Sequence, residues 1–125
     1  MAKYCNPVMI DAVWNYIKNS SDTITYTLCS QQPTTRTEAV TTYMLVTTTL
    51  NKSTELTLAN GDTSGRKCTI SAKSGLTVTN TGTGNHVAIC DATNLLFVTT
   101  TSAQAVTAAG TCDIGSWKDE IAAPS

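Results

Sequence analysis

Apolar and polar positions recur along this chain with two different periods. From residue 7 to residue 19 the apolar side chains Met9, Ile10, Val13, Trp14 and Ile17 fall at helical spacing. Asn6 and Pro7 supply a cap and a first-turn proline, and Lys18-Asn19-Ser20-Ser21 closes the segment, which predicts an amphipathic helix of about three turns. Beyond it the period falls to two. Residues 23–29 alternate, with Ile24, Tyr26 and Leu28 on one face and Thr23, Thr25, Thr27 and Cys29 on the other, the pattern of a half-buried strand. Gln31-Gln32-Pro33 ends that strand. A short helix fits residues 34–41, where Thr34 or Thr35 can cap and Glu38 sits in the first turn. Strands are predicted over 42–50, 55–59, 66–72 and 76–79, the third with Cys68, Ile70 and Ala72 inward. Turns are predicted at 51–53, at the two-glycine loop 60–65, at 73–75 and at 80–85, which carries Gly82 and Gly84.

Residues 85–101 form the most hydrophobic stretch. Two apolar runs, 87–90 and 95–98, flank Asp91-Ala92-Thr93-Asn94, which reads as a β-hairpin needing partners on both sides. Residues 103–106 and 111–114 follow as shorter strands, Cys112 and Ile114 sharing a face. Short strands with turn signals about every ten residues indicate a mainly β fold: an antiparallel β-sandwich or jelly-roll-like barrel of roughly seven to nine strands with one N-terminal α-helix. We expect a single domain over 1–125, with 1–20 as N-terminal arm and helix and 115–125 as C-terminal tail.

Composition supports the strand reading. Threonine fills 25 of 125 positions, and its stiff β-branched side chain suits a pleated, half-wet surface. Only 14% of residues are charged and the net charge is −1, which argues against a nucleic-acid partner or an anionic membrane surface. No run approaches the roughly 20 apolar residues of a membrane span, and the N-terminus lacks a signal-like apolar core, so assembly in a cytoplasm is expected. The five cysteines (Cys5, Cys29, Cys68, Cys90, Cys112) are an odd, widely spaced set without Cys-x-x-Cys. With one histidine in the chain they read as buried thiols rather than a zinc site. No cofactor is implied.

Candidate chemistry is sparse. His86 is the sole histidine, but no serine elbow or paired acid can be placed beside it, and Cys90 lies about 13 Å along the same strand at about 3.3 Å per residue. The loop 60–65 followed by Arg66-Lys67 lacks the Gly-Lys-Ser/Thr that opens a helix in phosphate-binding loops, and reads as a hairpin loop with a solvated basic pair. Acidic residues are scattered. Asp62 and Asp91 are the one conceivable calcium pair, without a ligand rhythm around them. We therefore expect no catalytic, cofactor or metal residues. Tyr4, Trp14 and Trp117 stand near the two ends of the chain, which suggests protein contacts made by the termini, although packing of Trp14 on the sheet explains its position equally well.

The N-terminal Met1-Ala2-Lys3-Tyr4-Cys5-Asn6-Pro7-Val8-Met9, the loop-strand Gly61-Asp62-Thr63-Ser64-Gly65-Arg66-Lys67, Asn85-His86-Val87-Ala88 and the closing Trp117…Glu120-Ile121…Pro124 together resemble a group of small structural proteins encoded by tailed bacteriophages. The likeness runs over nearly the whole chain, and its motifs carry no catalytic content. Relatives in that group tend to hold an aliphatic residue where Cys68 and Cys112 stand, and disulfide formation after release from a reducing cell stays open. The resemblance implies a virion component rather than an enzyme: a capsid decoration or cement protein that bridges major capsid subunits. A neck, tail or fibre-base part, or a surface carbohydrate-binding module, are the alternatives. It implies the major capsid protein and other virion proteins as partners, a homo-oligomer, and Lys3, Tyr4, Trp14 and Trp117 as interface residues.

Overall fold

The fold is known from a computed structural model that describes residues 3–124. Met1 and Ala2 of the expected arm and Ser125 of the expected tail lie outside the described residues. The elements run α1 (Pro7–Lys18), β1 (Thr25–Cys29), a π-helical turn (Glu38–Thr42), β2 (Met44–Thr49), β3 (Leu56–Asn60), β4 (Arg66–Ile70), β5 (Lys73–Thr77), β6 (Gly82–Cys90), β7 (Leu95–Val106), β8 (Thr111–Ile114) and β9 (Trp117–Ile121). Strands hold 47% of residues and helices 16%, all strand pairs are antiparallel, and the helix stands at the N-terminus, as expected. The sheets are sandwich-like and open. The order β2-β1-β6-β7 ends in two unjoined strands, so the barrel half of the expectation is not formed.

The chain divides into two compact units, one of Met1–Ser21, Asn51–Ala72 and Gly115–Ser125, the other of Asp22–Leu50 and Lys73–Ile114. In the first, α1 lies against a three-stranded sheet of order β3-β4-β9. The Asn6 side chain accepts from Val8 N–H at 2.9 Å and Pro7 occupies the first turn, where its missing N–H costs nothing. Ile10, Trp14 and Ile17 are buried, together with Leu56, Cys68 and Ile70 of the sheet. Residues 117–121 are not a tail: they pair along the whole of β4, Arg66 with Ile121 through Ile70 with Trp117. The run of small and polar residues around Trp117 hid this strand, because its pairing partner, not its own hydrophobicity, holds it. Ala72 was expected inward, but β4 ends at Ile70 and Ala72 is exposed.

In the second unit β1 and β6 are the inner strands, β6 lying between β1 and β7, and the hairpin Cys90–Leu95 forms at the expected place. Its turn is an Asx arrangement: the buried Asp91 carboxylate accepts from Thr93 N–H at 2.9 Å and Asn94 N–H at 2.6 Å. Strand β1 departs from the half-buried expectation. Thr27 and Cys29 are as inaccessible as Tyr26 and Leu28, because the second face is packed too: Cys29 clusters with Ala39 and with Ala88 and Cys90 of the neighbouring strand β6, bordered by Val40, Tyr43, Leu95 and Val98. The segment 34–41 does form a helical turn, of π type, and the capping is reciprocal. The Thr35 hydroxyl accepts from Glu38 N–H at 3.1 Å, while the Glu38 carboxylate accepts from Thr34 N–H and its hydroxyl, both at 2.8 Å.

Two glycine-bearing segments expected as turns are strand. Gly82 and Gly84 lie inside β6, where they give room to Leu45 and Leu28 rather than bend the chain; a Cβ on Gly84 would stand 2.5 Å from Leu28 Cγ. Lys73-Ser74-Gly75 opens β5, and the positive φ of Gly75 absorbs a register shift between Lys73 and Leu76 against β8. Residues 103–106 continue β7 instead of forming a separate strand.

Candidate functional site

The groups that chemistry would use are engaged within the fold. Across β1 and β6 the residue facing His86 is Cys29, not Cys90, a pair that spacing along one strand does not reveal. The Cys29 thiol donates to Ala39 C=O at 3.5 Å and lies 3.4 Å from the Thr27 hydroxyl; His86 Nδ1 lies 2.7 Å from Asn85 Oδ1. Burial pushes the Cys29 thiol up, with the Thr27 hydrogen bond pulling weakly the other way. Cys68 and Cys90 are each pushed up to about 11, chiefly by burial, and Cys112 is raised for the same reason. Such thiols are protonated at neutral pH and are poor nucleophiles there.

The loop Asn60–Gly65 does hold an anion, but it is the chain's own. Glu120 of β9 accepts from the N–H groups of Asp62 and Thr63, and Gly61 N–H donates to Gly65 C=O at 2.9 Å, closing the loop. The basic pair that follows is not solvated as expected. Arg66 donates from Nε to Asp11 Oδ1 at 2.9 Å and from its terminal nitrogens to Asp11 Oδ2 and Asn60. Lys67 and Lys118 both pair with the Asp62 carboxylate. Asp62 thus has lysines and Asp91 has backbone N–H groups as partners. Among the described residues no three His, Cys, Asp or Glu side chains gather, and no helix is long and apolar enough to cross a membrane.

The prominent surface feature is the outward side of α1 and the arm before it. Tyr4 is 82% exposed, Val8 72%, Met9 69%, Val13 57% and Tyr16 59%, and Lys3 and Ala12 are exposed beside them. A helix in a water-soluble fold ordinarily turns one apolar stripe inward and polar residues outward. Here the inward stripe is Ile10, Trp14 and Ile17, and apolar residues cover much of the other side as well. Polar residues are confined to a flank, where they anchor the helix: Asp11 to Arg66, and Lys18 Nζ donating to the carbonyls of Lys52 at 2.9 Å and Leu56 at 2.6 Å.

The four residues singled out for contact are therefore placed differently from one another. Lys3 and Tyr4 are exposed. Trp14 is buried at 3%, its indole N–H donating to Asp119 Oδ2 at 2.8 Å, and Trp117 is half-buried against it in an edge-to-face contact with centroids 6.4 Å apart. The structure brings the two tryptophans together as packing and leaves Val8, Met9, Val13 and Tyr16 outside. Sequence reasoning grouped Met9 and Val13 with Ile10, Trp14 and Ile17 as one set at helical spacing. The helical angles separate Met9 and only partly separate Val13: on a helix of 3.6 residues per turn Ile10, Trp14 and Ile17 share one side, Met9 lies about 100° from its centre, and Val13 lies about 70° from it, next to Ile17. No protein-family model, curated protein or solved structure matches this chain.

Proposed function

We propose that this protein is a structural component that works by binding protein, with the Lys3–Tyr4 arm and the outer side of α1 as its contact surface. The observation that carries the reading is the exposed apolar side of α1, where Val8, Met9, Val13 and Tyr16 are each more than half exposed, with Tyr4 of the arm more exposed still. Contiguous apolar surface of this extent on a small domain marks an interaction site. The engagement of Asp62, Arg66, Lys67 and Glu120 with one another, and the raised thiols of Cys29, Cys68 and Cys90, favour a mechanical role over a catalytic one.

The likeness to tailed-phage structural proteins supplies the setting: a virion shell, with the major capsid protein as partner and a decoration or cement role. Burying area across neighbouring subunits raises the free energy needed to separate them, and many copies on a lattice add avidity. The test is the copy number of the chain per particle, by quantitative mass spectrometry against the major capsid protein. A ratio near one, or a simple lattice fraction, supports cement; a dozen copies or fewer moves the protein to the neck, tail or a single vertex. Tyr4→Ala with Lys3→Ala should then lower occupancy while the isolated chain keeps its melting temperature, since neither side chain is buried.

A further inference from the structure

We infer that the apolar side of α1 is a two-fold contact between two copies of this chain. The inference rests on reading that side as a protein-binding surface, and it names the occupant. At 3.6 residues per turn Val8, Ala12, Tyr16, Met9 and Val13 fill a continuous arc of about 140°. Every residue in that arc is exposed and none is charged. They form two rows at four-residue spacing, Val8–Ala12–Tyr16 and Met9–Val13, which are ridges of the kind that interdigitate when two helices cross.

Self-pairing fits this arrangement for three reasons. First, the arc is self-complementary in antiparallel sense: with the axis at Ala12, Val8 of each copy meets Tyr16 of the other, and the smallest side chain sits where the helices approach closest. Second, in a two-fold contact a residue on the axis meets its own copy, so a charge there would repel. The charges on the helix itself, Asp11 and Lys18, are engaged by Arg66 and by the carbonyls of Lys52 and Leu56. Third, the area suffices. With about 200 Å² for a tyrosine and somewhat less for Met and Val, the exposed arc and Tyr4 offer about 600 Å² per copy, so a pair that covers all of it buries about 1,200 Å², the lower bound for a specific interface. A weak, concentration-dependent dimer is the expected product.

The test uses the full chain in sedimentation velocity over a dilution series, with an independent crosslink. Wild type should move from monomer to a species of twice the mass as concentration rises, and Met9→Glu with Val13→Glu should stay monomeric with an unchanged far-ultraviolet circular dichroism spectrum. In a Cys5→Ser background, Ala12→Cys should give a disulfide-linked dimer under mild oxidation, and the exposed turn variant Ser53→Cys should not. Monomer throughout the series, a dimer that survives the double glutamate change, or equal crosslinking at Ser53 would overturn the two-fold contact. A monomeric wild type that still occupies phage particles sinks the two-fold contact and leaves the shell reading standing. A helix-dependent dimer absent from particles does the reverse.

Discussion

The Trp14 indole N–H donates to Asp119 Oδ2 at 2.8 Å, tying the N-terminal helix to the last strand across 105 positions. Trp14 is buried and packs edge-to-face on Trp117, so helix and strand share one aromatic contact and one polar one. Trp14→Phe keeps most of the ring volume and strands the carboxylate, a loss of about 1–3 kcal/mol. Trp14→Ala also opens a cavity and should cost about 3–5 kcal/mol. Urea unfolding followed by Trp117 fluorescence separates the two. If Trp14→Phe loses nothing, the hydrogen bond contributes nothing; if both variants lose the same amount, the ring packing adds nothing to it.

Three glycines that look alike in the sequence should respond differently to alanine. At Gly84 the new Cβ would stand 2.5–2.8 Å from three carbons of the buried Leu28, and overpacking of this kind costs about 1–3 kcal/mol. At Gly75 the space is open but φ is +66°, so only the left-handed strain of about 1–2 kcal/mol remains. At Gly115 there is open space and no positive φ, and alanine should be neutral or stabilise by about 0.4–1 kcal/mol through the unfolded chain. Thermal melts of the three variants give the order Gly115, Gly75, Gly84 from most to least stable.

These glycines show how far the sequence could be read. Local signals were sufficient where one segment decides its own fate: the Asn6-Pro7 helix start, the Asp91–Asn94 turn between apolar runs, and the period-two alternation that marks β1 and β4. They misled where a distant partner decides. Gly82 and Gly84 look like turn residues until Leu45 and Leu28 press against them, and residues 117–121 look like a tail until β4 pairs with them. The exposed apolar patch was partly legible, since Tyr4 was named from its place near the end of the chain and is exposed. The tryptophans were not separable from it by position alone, because an aromatic near a terminus serves equally as a core pillar or a docking residue, and only the facing sheet distinguishes them.

At the acid end, the Glu38 carboxylate is held below its ordinary range by the N–H and hydroxyl of Thr34, with smaller help from Tyr43 and Thr35. A carboxyl whose folded value lies below its unfolded one contributes stability above the unfolded value, and that contribution is lost as pH falls through the folded value. The stabilisation of the π-helical turn should therefore be present at neutral pH and vanish in mild acid. Glu38→Gln should flatten that part of the stability–pH curve, whereas Thr34→Val should weaken it without abolishing it. A curve for Glu38→Gln that keeps the wild-type slope in mild acid would assign the acid sensitivity elsewhere.

At the alkaline end the thiols set the opposite limit. Cys68 and Cys90 are neutral in the fold to about pH 11, whereas exposed thiols of the unfolded chain ionise near 9. Between those values the unfolded chain binds fewer protons than the folded one, so stability falls as pH rises from about 9 to about 11 and levels off beyond. Below pH 9 the contribution is complete. The same burial governs reactivity: at pH 8 a maleimide should label Cys5, the half-buried thiol of the N-terminal arm, ahead of Cys29, Cys68, Cys90 and Cys112, which should react at the rate of opening. Cys68→Ala together with Cys90→Ala should shorten the alkaline decline while costing core packing at every pH. Labelling of Cys68 or Cys90 as fast as Cys5 in the native chain would mean that these thiols are reached without unfolding, and the alkaline limit would then need another source.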